Sequence, residues 1–359
     1  MKIVSAVVKP YARELAVAWQ TPHGIISQRR GFIIRVVTED GLSGFGEASP
    51  LPGFSRESME QTGLYLFEAA TELLGQSVLS SLSEVSHAIA AIVPADCPSV
   101  RFCLETALCD LAARREGKPL ALWLNGQSRR EVPVNYLLGA SHVDWDNLTS
   151  VIGNYQAVKI KMSGHLENDI ECVRKVRQIA GKKVNIRIDA NRCWNYEKAA
   201  GALEKMQEFG IEYVEEPVAA FDVEQVFRLR DKTGVRIALD EALVECGNPE
   251  ALVTSGVGDV VIVKPTLIGG IWRIFQLASF IRSHNQQIVI TSSLETEVGL
   301  SALLHLAAAI DYVNYPCGLD TLRFFKNVHE ENQFLISSGS IRLPDSPGIG
   351  IGNDTWDKI

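Results

Sequence analysis

No stretch of this 359-residue chain holds the ~18–20 consecutive apolar residues of a membrane span, so no spanning helix is expected. The opening MKIVSAVVKPYARELAV lacks a continuous apolar core and a small-residue cleavage site, so no secretory leader is expected either. The seven cysteines, Cys97, Cys103, Cys109, Cys172, Cys193, Cys246 and Cys317, are odd in number and none has CxxC spacing. That argues against a disulfide framework and a zinc site, leaves core filling as their simplest use, and points to a reducing cytoplasm. Basic runs are missing too. With 35 Lys and Arg against 43 Asp and Glu, the formal charge is −8, and neither nucleic acid nor an anionic membrane is an expected partner. Histidine is scarce. His142, His165 and His284 have no partner at ligand spacing and read as surface-loop or helix-end residues. Nothing in the pattern specifies an oligomeric state.

The length exceeds what one compact core serves, which points to two domains or to one barrel with additions. Residues 1–56 read as strands and loops. GFIIRVVTE (31–39) is an apolar strand run and GLSG (41–44) a turn signal, whereas the prolines and glycines of FGEASPLPGFS (45–55) argue against regular structure. From about 57 to 117 the pattern is helical. Phe102, Thr106, Cys109 and Ala113 fall near one helix face, with Gly117 and Pro119 as stop signals. An α+β unit over 1–125 is expected.

From Val132 short apolar runs alternate with amphipathic helices. The strand runs are VPVNYLL, AVKIKM, VNIRIDAN, IEYVEEP, RIALDEAL, VVIVKP, IVITSS and DYVNYP (311–316). Helices are expected near 167–180, 196–209, 223–232, 249–254, 271–284 and 298–310. Eight evenly spaced strand–helix units favour a closed parallel barrel over 126–319 rather than an open doubly wound sheet. The tail, 320–359, adds no further repeat and is expected to return to the N-terminal unit.

Five charged residues punctuate this region at the strand ends: Lys161, Asp189, Glu215, Asp240 and Lys264, with gaps of 28, 26, 25 and 24 residues between their numbers. Side chains alternate between strand faces. Val158, Ile160, Ile186, Ile188, Ile237, Leu239, Val261 and Val263 take one face. Lys159, Lys161, Arg187, Asp189, Asn191, Asp240 and Lys264 take the other, so the charges converge in the barrel mouth. Glu215 opposes Val214 and fits that parity, with Glu216 the competing choice. Three carboxylates without nearby His or Cys suit a hard divalent ion, Mg²⁺ or Mn²⁺, rather than zinc. Such an ion can hold the carboxylate of a small-molecule substrate while a neighbouring C–H loses its proton. Lysines on either side, near another cation and away from water, are expected to have lowered pKa values and to serve as bases. Lys264 is also open to a Schiff-base reading. Lys159 is a supporting residue. Arg187 and Asn191 either orient ligands or fill the barrel. Ser292 and Ser293 either donate to substrate or form a plain turn.

The strings VKIKM, IRIDAN, VEEP, LDEAL and VIVKPTLIGG, in register over 157–270, resemble the enolase superfamily in its muconate-lactonizing-enzyme subgroup. GFGEASPLPGFS, TSSLETEVGL and PCGLDTL are similar to the o-succinylbenzoate synthase family within it. The resemblance covers most of the chain. It implies a modified (β/α)7β TIM-type barrel with an N-terminal α+β capping domain completed by the C-terminal tail. It implies Mg²⁺ at Asp189, Glu215 and Asp240, Lys161 as acid/base, and Lys264 facing the other side of a metal-stabilised enediolate. The implied reaction is syn dehydration of 2-succinyl-6-hydroxy-2,4-cyclohexadiene-1-carboxylate to 2-succinylbenzoate, a step of menaquinone synthesis. Cap loops at 21–28 and 50–55, the latter with Phe54, are expected to exclude water and touch the succinyl tail. Two other readings share the site. One is a racemase or epimerase of N-acylated amino acids or dipeptides, in which the two lysines serve opposite faces of one carbon. The other is a silent binding barrel, which a missing ligand or lysine would indicate. Dipeptide epimerases of the family carry an acidic eighth-strand motif for the substrate's amino group. Here that loop is PCGLDTL, with Asp320.

Overall fold

The computed structural model describes residues 1–21, 24–139, 143–326 and 334–358. It begins with an antiparallel sheet of three strands, β1 (Ile3–Thr21), β2 (Gly24–Thr38) and β3 (Ser43–Ala48), in that order. Three helices follow, α1 (Met59–Glu72), α2 (Leu82–Ile92) and α3 (Pro98–Arg115). Ser58 and Ser81 start the first two with capping boxes, each serine accepting from the backbone N–H three residues on.

One expectation fails here. The segment from residue 45 is not irregular at its start, because Gly44 and Gly46 lie inside β3. Their missing side chains let α3 approach. A Cβ on Gly44 would stand 2.2 Å from the Ala107 carbonyl oxygen, and one on Gly46 would stand 1.9 Å from that of Cys103. The expected helix forms as α3, with Phe102, Thr106, Cys109 and Ala113 all buried. From Pro98 to Ala113 every residue but Arg101 is buried, since β3, α2 and the barrel enclose it.

After α4 (Leu120–Leu124) and β4 (Glu131–Pro133), the parallel strands begin: β5 (Tyr136–Leu138), β6 (Ala157–Lys161), β7 (Asn185–Asp189), β8 (Ile211–Glu215), β9 (Ile237–Leu239), β10 (Val260–Val263) and β11 (Gln287–Ile290). They form one sheet in sequence order. The helices between them are α5 (Trp145–Val151), α6 (Leu166–Ala180), α7 (Tyr196–Met206), α8 (Val223–Thr233), α9 (Glu241–Glu245), α10 (Pro249–Thr254), α11 (Pro265–Ile268) and α12 (Ile271–Ser283), with α13 (Glu297–Ala309) after β11. Asn195, Asp222, Asn248 and Thr296 start α7, α8, α10 and α13 by accepting first-turn N–H groups. Gly234 ends α8 in the left-handed region.

The eighth position of the ring lies at Cys317 and Gly318, not at 311–316, where Asp311 and Tyr312 form a turn. Gly318 bridges Thr291 beyond β11, and Cys317 bridges Val134 before β5, both in parallel. Gly318 N–H donates to Ile290 and Cys317 N–H to Pro133. The first expected strand is also divided. Its β4 portion pairs with the tail strand β13 (Ser340–Arg342), itself paired with β12 (Ile336–Ser337), and only β5 joins the barrel.

Strand parity divides the core as the alternation requires. Outward Val158, Ile160, Ile186, Ile188, Ile237, Leu239, Val261 and Val263 join the main cluster under the helices. Inward Tyr213, Ala238, Val260, Ile262 and Val289 form a separate small cluster inside the ring. Each fully buried aliphatic side chain contributes about 1.5–3 kcal/mol. The tail runs back over the cap. Phe325 bridges Leu15, Ile349 N–H donates to Asp110, and Trp356, on the last helix α14 (Asn353–Asp357), packs on Phe45. Among the described residues no helix is long and apolar enough to cross a membrane. All seven cysteines are free, but core filling describes only Cys97, Cys103, Cys109 and Cys317 as buried; Cys193 and Cys246 are exposed. His165 and His284 stand at helix ends, and His142 lies outside the described residues.

Candidate active site

The strand ends deliver the five charges to one cavity of about 940 Å³, counting its opening to solvent. Asp189 and Glu215 are direct cross-strand neighbours on β7 and β8, and Asp240 follows β9 immediately. All three are at most 2 % exposed. Counting round the ring from β5, Lys161 ends the second strand and Lys264 follows the sixth, so the lysines face each other across the mouth. Lys159 Nζ donates to both oxygens of Glu215, at 2.7 and 2.8 Å, and lies 2.9 Å from Asp189. Lys264 pairs with Asp240. Lys161 donates to Asn191 Oδ1 at 3.1 Å, and the Asn191 amide nitrogen donates to Glu241 at 3.0 Å, which fixes the amide's orientation.

Glu216 turns the other way. It has φ +42, accepts the backbone N–H groups of Asp240 and Ala242, each at 2.9 Å, and pairs with Arg192. It is therefore the scaffold beneath Asp240, and Glu215 is the mouth residue. Arg187 fills the barrel, the second of the two readings open to it. It pairs with Glu212, donates to the Pro316 carbonyl and lies against the rings of Tyr213 and Tyr315. Ser292 and Ser293 line the cavity, but both are engaged inside the protein. The Ser292 hydroxyl donates to Glu295 and accepts from Leu294 N–H and Thr321, and the Ser293 hydroxyl accepts from Thr266. Phe54 lines the cavity with Leu51, Thr21 and Ile26, while Pro22 and His23 of the expected loop lie outside the described residues.

Burial opposes the charge on Asp189, yet Lys159 and Lys161 hold its carboxyl below the usual range. Glu215 is pushed well up, by burial and then by Asp189. Glu241 rises to about 7 through burial and the neighbouring Asp240, and its second oxygen has no hydrogen-bond partner among the described residues. Burial works against the ammonium of Lys264, but Asp240 overrides it and holds the pKa above its ordinary value. The lowered value expected of a lysine beside a cation thus gives way for Lys264 to the carboxylates, which dominate the local field.

As the side chains stand, no three His, Cys, Asp or Glu residues among those described are gathered into a ready cation cage, because the carboxylates are spent on lysines. The donor set nevertheless fits a hard divalent ion. It is all oxygen, it comes from adjacent strand ends, and its four acids, Asp189, Glu215, Asp240 and Glu241, outnumber the three lysines of the cavity, Lys159, Lys161 and Lys264.

Trp19 was not among the expected site residues. It stands over Lys161 at 5.1 Å and packs edge-on against Phe324. A register shift between Glu14 and Trp19 in β1 places it there, a feature with no local sequence mark. Asp320 and Thr321, just past the eighth ring position, also line the cavity.

Residues 147–358 match the model described as enolase C-terminal domain-like. The chain belongs to that family. Residues 22–111 of this enolase-superfamily enzyme match a second model, the MenC N-terminal domain. The chain is 26 % identical over 333 residues to the D-Ala-D/L-Ala epimerase of Cytophaga hutchinsonii, covering 92 % of this chain and 90 % of that protein. It is 26 % identical to the N-succinyl-L-Arg/Lys racemase of Bacillus cereus, over 94 % and 92 %. It is also 26 % identical to the chloromuconate cycloisomerase CbnB of Cupriavidus necator, over 98 % and 95 %. The fold is that of the dipeptide epimerase from Methylococcus capsulatus complexed with Mg and the dipeptide L-Arg-D-Lys, with a TM-score of 0.87 at 24 % identity over 98 % of this chain and 99 % of that one.

Proposed function

We propose that this enzyme removes the proton next to a substrate carboxylate with Lys161, and that the reaction is dehydration of 2-succinyl-6-hydroxy-2,4-cyclohexadiene-1-carboxylate to 2-succinylbenzoate. The observation that carries the first half is the placement of Lys161 and Lys264 on opposite walls, with Asp189, Glu215 and Asp240 between them. When bound at those three carboxylates, Mg²⁺ would supply charge stabilisation to the substrate carboxylate. Lys161 takes the proton from the ring carbon, and its ammonium returns a proton to the hydroxyl that departs from the same face. Lys264 holds positive charge on the far side, where negative charge develops. Asn191 and Trp19 fix the position of Lys161. Trp19, Ile26, Leu51 and Phe54 keep water from the ring. Residues 1–125 with 320–359 form the cap in this reading, and 126–319 the barrel. Seven free cysteines suit a reducing cytoplasm.

Two observations favour elimination. The N-terminal half of the cap matches the MenC model. The acid of the eighth-strand loop, Asp320, already has a cationic partner in Arg323. The second reading, 1,1-proton transfer on an N-acylated amino acid or dipeptide, is favoured by the relatives, whose names include an epimerase and a racemase. It uses the same two lysines, one on each face of the carbon.

Turnover separates the two. Supplied with the cyclohexadiene carboxylate and Mg²⁺, the protein should bleach the diene absorbance, and Lys161→Ala should not. Deuterium exchange at the α-carbon of N-succinyl amino acids or dipeptides without diene turnover would assign the isomerase instead. Silence in both assays would reject the proton-abstraction reading.

A further inference from the structure

The wall of the mouth facing the carboxylates holds one more acid, and its surroundings set what that wall accepts. Asp320 lines the cavity and is 8 % exposed. It follows the eighth ring position, four strands from β8, and so faces Glu215 across the mouth. A buried carboxylate with no countercharge would draw a cationic ligand group into contact. Asp320 has its countercharge inside the protein. Its Oδ2 lies 2.8 Å from Arg323 Nε and accepts the Tyr155 hydroxyl at 3.0 Å. Arg323 does not itself line the cavity, and it is held from three other directions. Its Nη2 donates to the Leu137 carbonyl at 2.7 Å, and its guanidinium lies 4.2 Å from the Tyr136 ring and 4.4 Å from that of Phe324. A fork so fixed serves Asp320 with little ordering cost.

We propose that Arg323 is a specificity-determining residue. By pairing with Asp320 it makes this wall neutral, so that the mouth takes carboxylates whose distal part is uncharged or anionic and refuses those bearing a distal ammonium. The inference rests on the mouth being a carboxylate-binding pocket, as proposed above, but not on which reaction follows.

The test uses three 2-alkoxybenzoates with tails of equal length ending in a methyl, a carboxylate or an ammonium group. Their dissociation constants are measured by calorimetry with Mg²⁺ present. In Arg323→Met the ammonium probe should tighten about tenfold relative to the methyl probe. In Asp320→Asn, which keeps the shape, the carboxylate probe should gain over the methyl probe instead. The double variant should return both ratios to near those of the unaltered protein. A purely structural role would weaken all three probes by one common factor, and that result overturns the proposal. So does an unaltered protein that already binds the ammonium probe tightest. Failure of all three probes to bind the unaltered protein would instead reject the carboxylate pocket, and this inference with it.

Discussion

Glu215 in the barrel mouth and Glu47 at the seam between the N-terminal sheet and the barrel are both fully buried, and burial pushes both carboxyls up. Their partners differ. Glu47 accepts from the Tyr11 hydroxyl, the Thr296 hydroxyl, and the N–H groups of Thr296 and Gly299, closing the N-terminus of α13. Asp110 is met in the same way by the N–H groups of Phe45 and Ile349 and by Arg114. Among the described residues Glu215 is bonded by Lys159 alone, and that lysine is shared with Asp189. Burial therefore does not separate a structural carboxylate from a functional one. The distinction lies in what meets the acids: fixed hydrogen-bond donors close around the oxygens at the seam, whereas four acids in the mouth, Asp189, Glu215, Asp240 and Glu241, share three lysines, Lys159, Lys161 and Lys264.

That contrast can be broken by exchange of effects. The largest is expected at Lys161. Lys161→Ala should lower kcat/KM by about 10³-fold or more, with calorimetric affinity for 2-succinylbenzoate changed only a few-fold. Comparable losses in both would make Lys161 a binding residue. Next, Glu47→Ala should cost about 3 kcal/mol in urea unfolding, because its donors lose their acceptor, yet the protein should keep its response to Mg²⁺. A lost Mg²⁺ response would erase the distinction between seam and mouth. Third, the folded-state pKa of Asp110 lies at about 6, above its ordinary 3.8. Its contribution to stability is therefore complete below the unfolded value and is lost as pH rises through about 6. Unfolding free energy should fall by about 2–3 kcal/mol from this group between pH 4 and 7, and Asp110→Asn should remove that slope. Smallest, Trp19→Leu should raise KM or lower kcat about fivefold, the scale of one cation–π contact, without altering unfolding.

The mouth was more legible than the seam for physical reasons. Lys161, Asp189, Glu215, Asp240 and Lys264 are set by the period of two along a strand and the spacing of strand–helix units, and both are local patterns. The eighth ring position was displaced because Cys317 and Gly318 join by single bridges and need no apolar run. Gly44 and Gly46 read as breakers because the helix that requires them lies about 60 residues further on. Arg187 obeyed strand parity but sits one layer below the mouth, a depth that parity cannot supply. Glu47 and Trp19 carry no local signature, since their partners Thr296 and Lys161 are distant in the chain.

The most direct test of the central claim, that the acids of the mouth serve a divalent cation, is thermal unfolding with and without Mg²⁺ for the unaltered protein and Glu215→Gln. The account predicts that Mg²⁺ raises Tm in the unaltered protein, by the linkage worth about 2.7 kcal/mol at a hundredfold excess over Kd, and that Glu215→Gln abolishes most of that rise at little cost to its metal-free stability. An unaltered protein indifferent to Mg²⁺, or a Glu215→Gln variant that responds to it in full, would contradict the account.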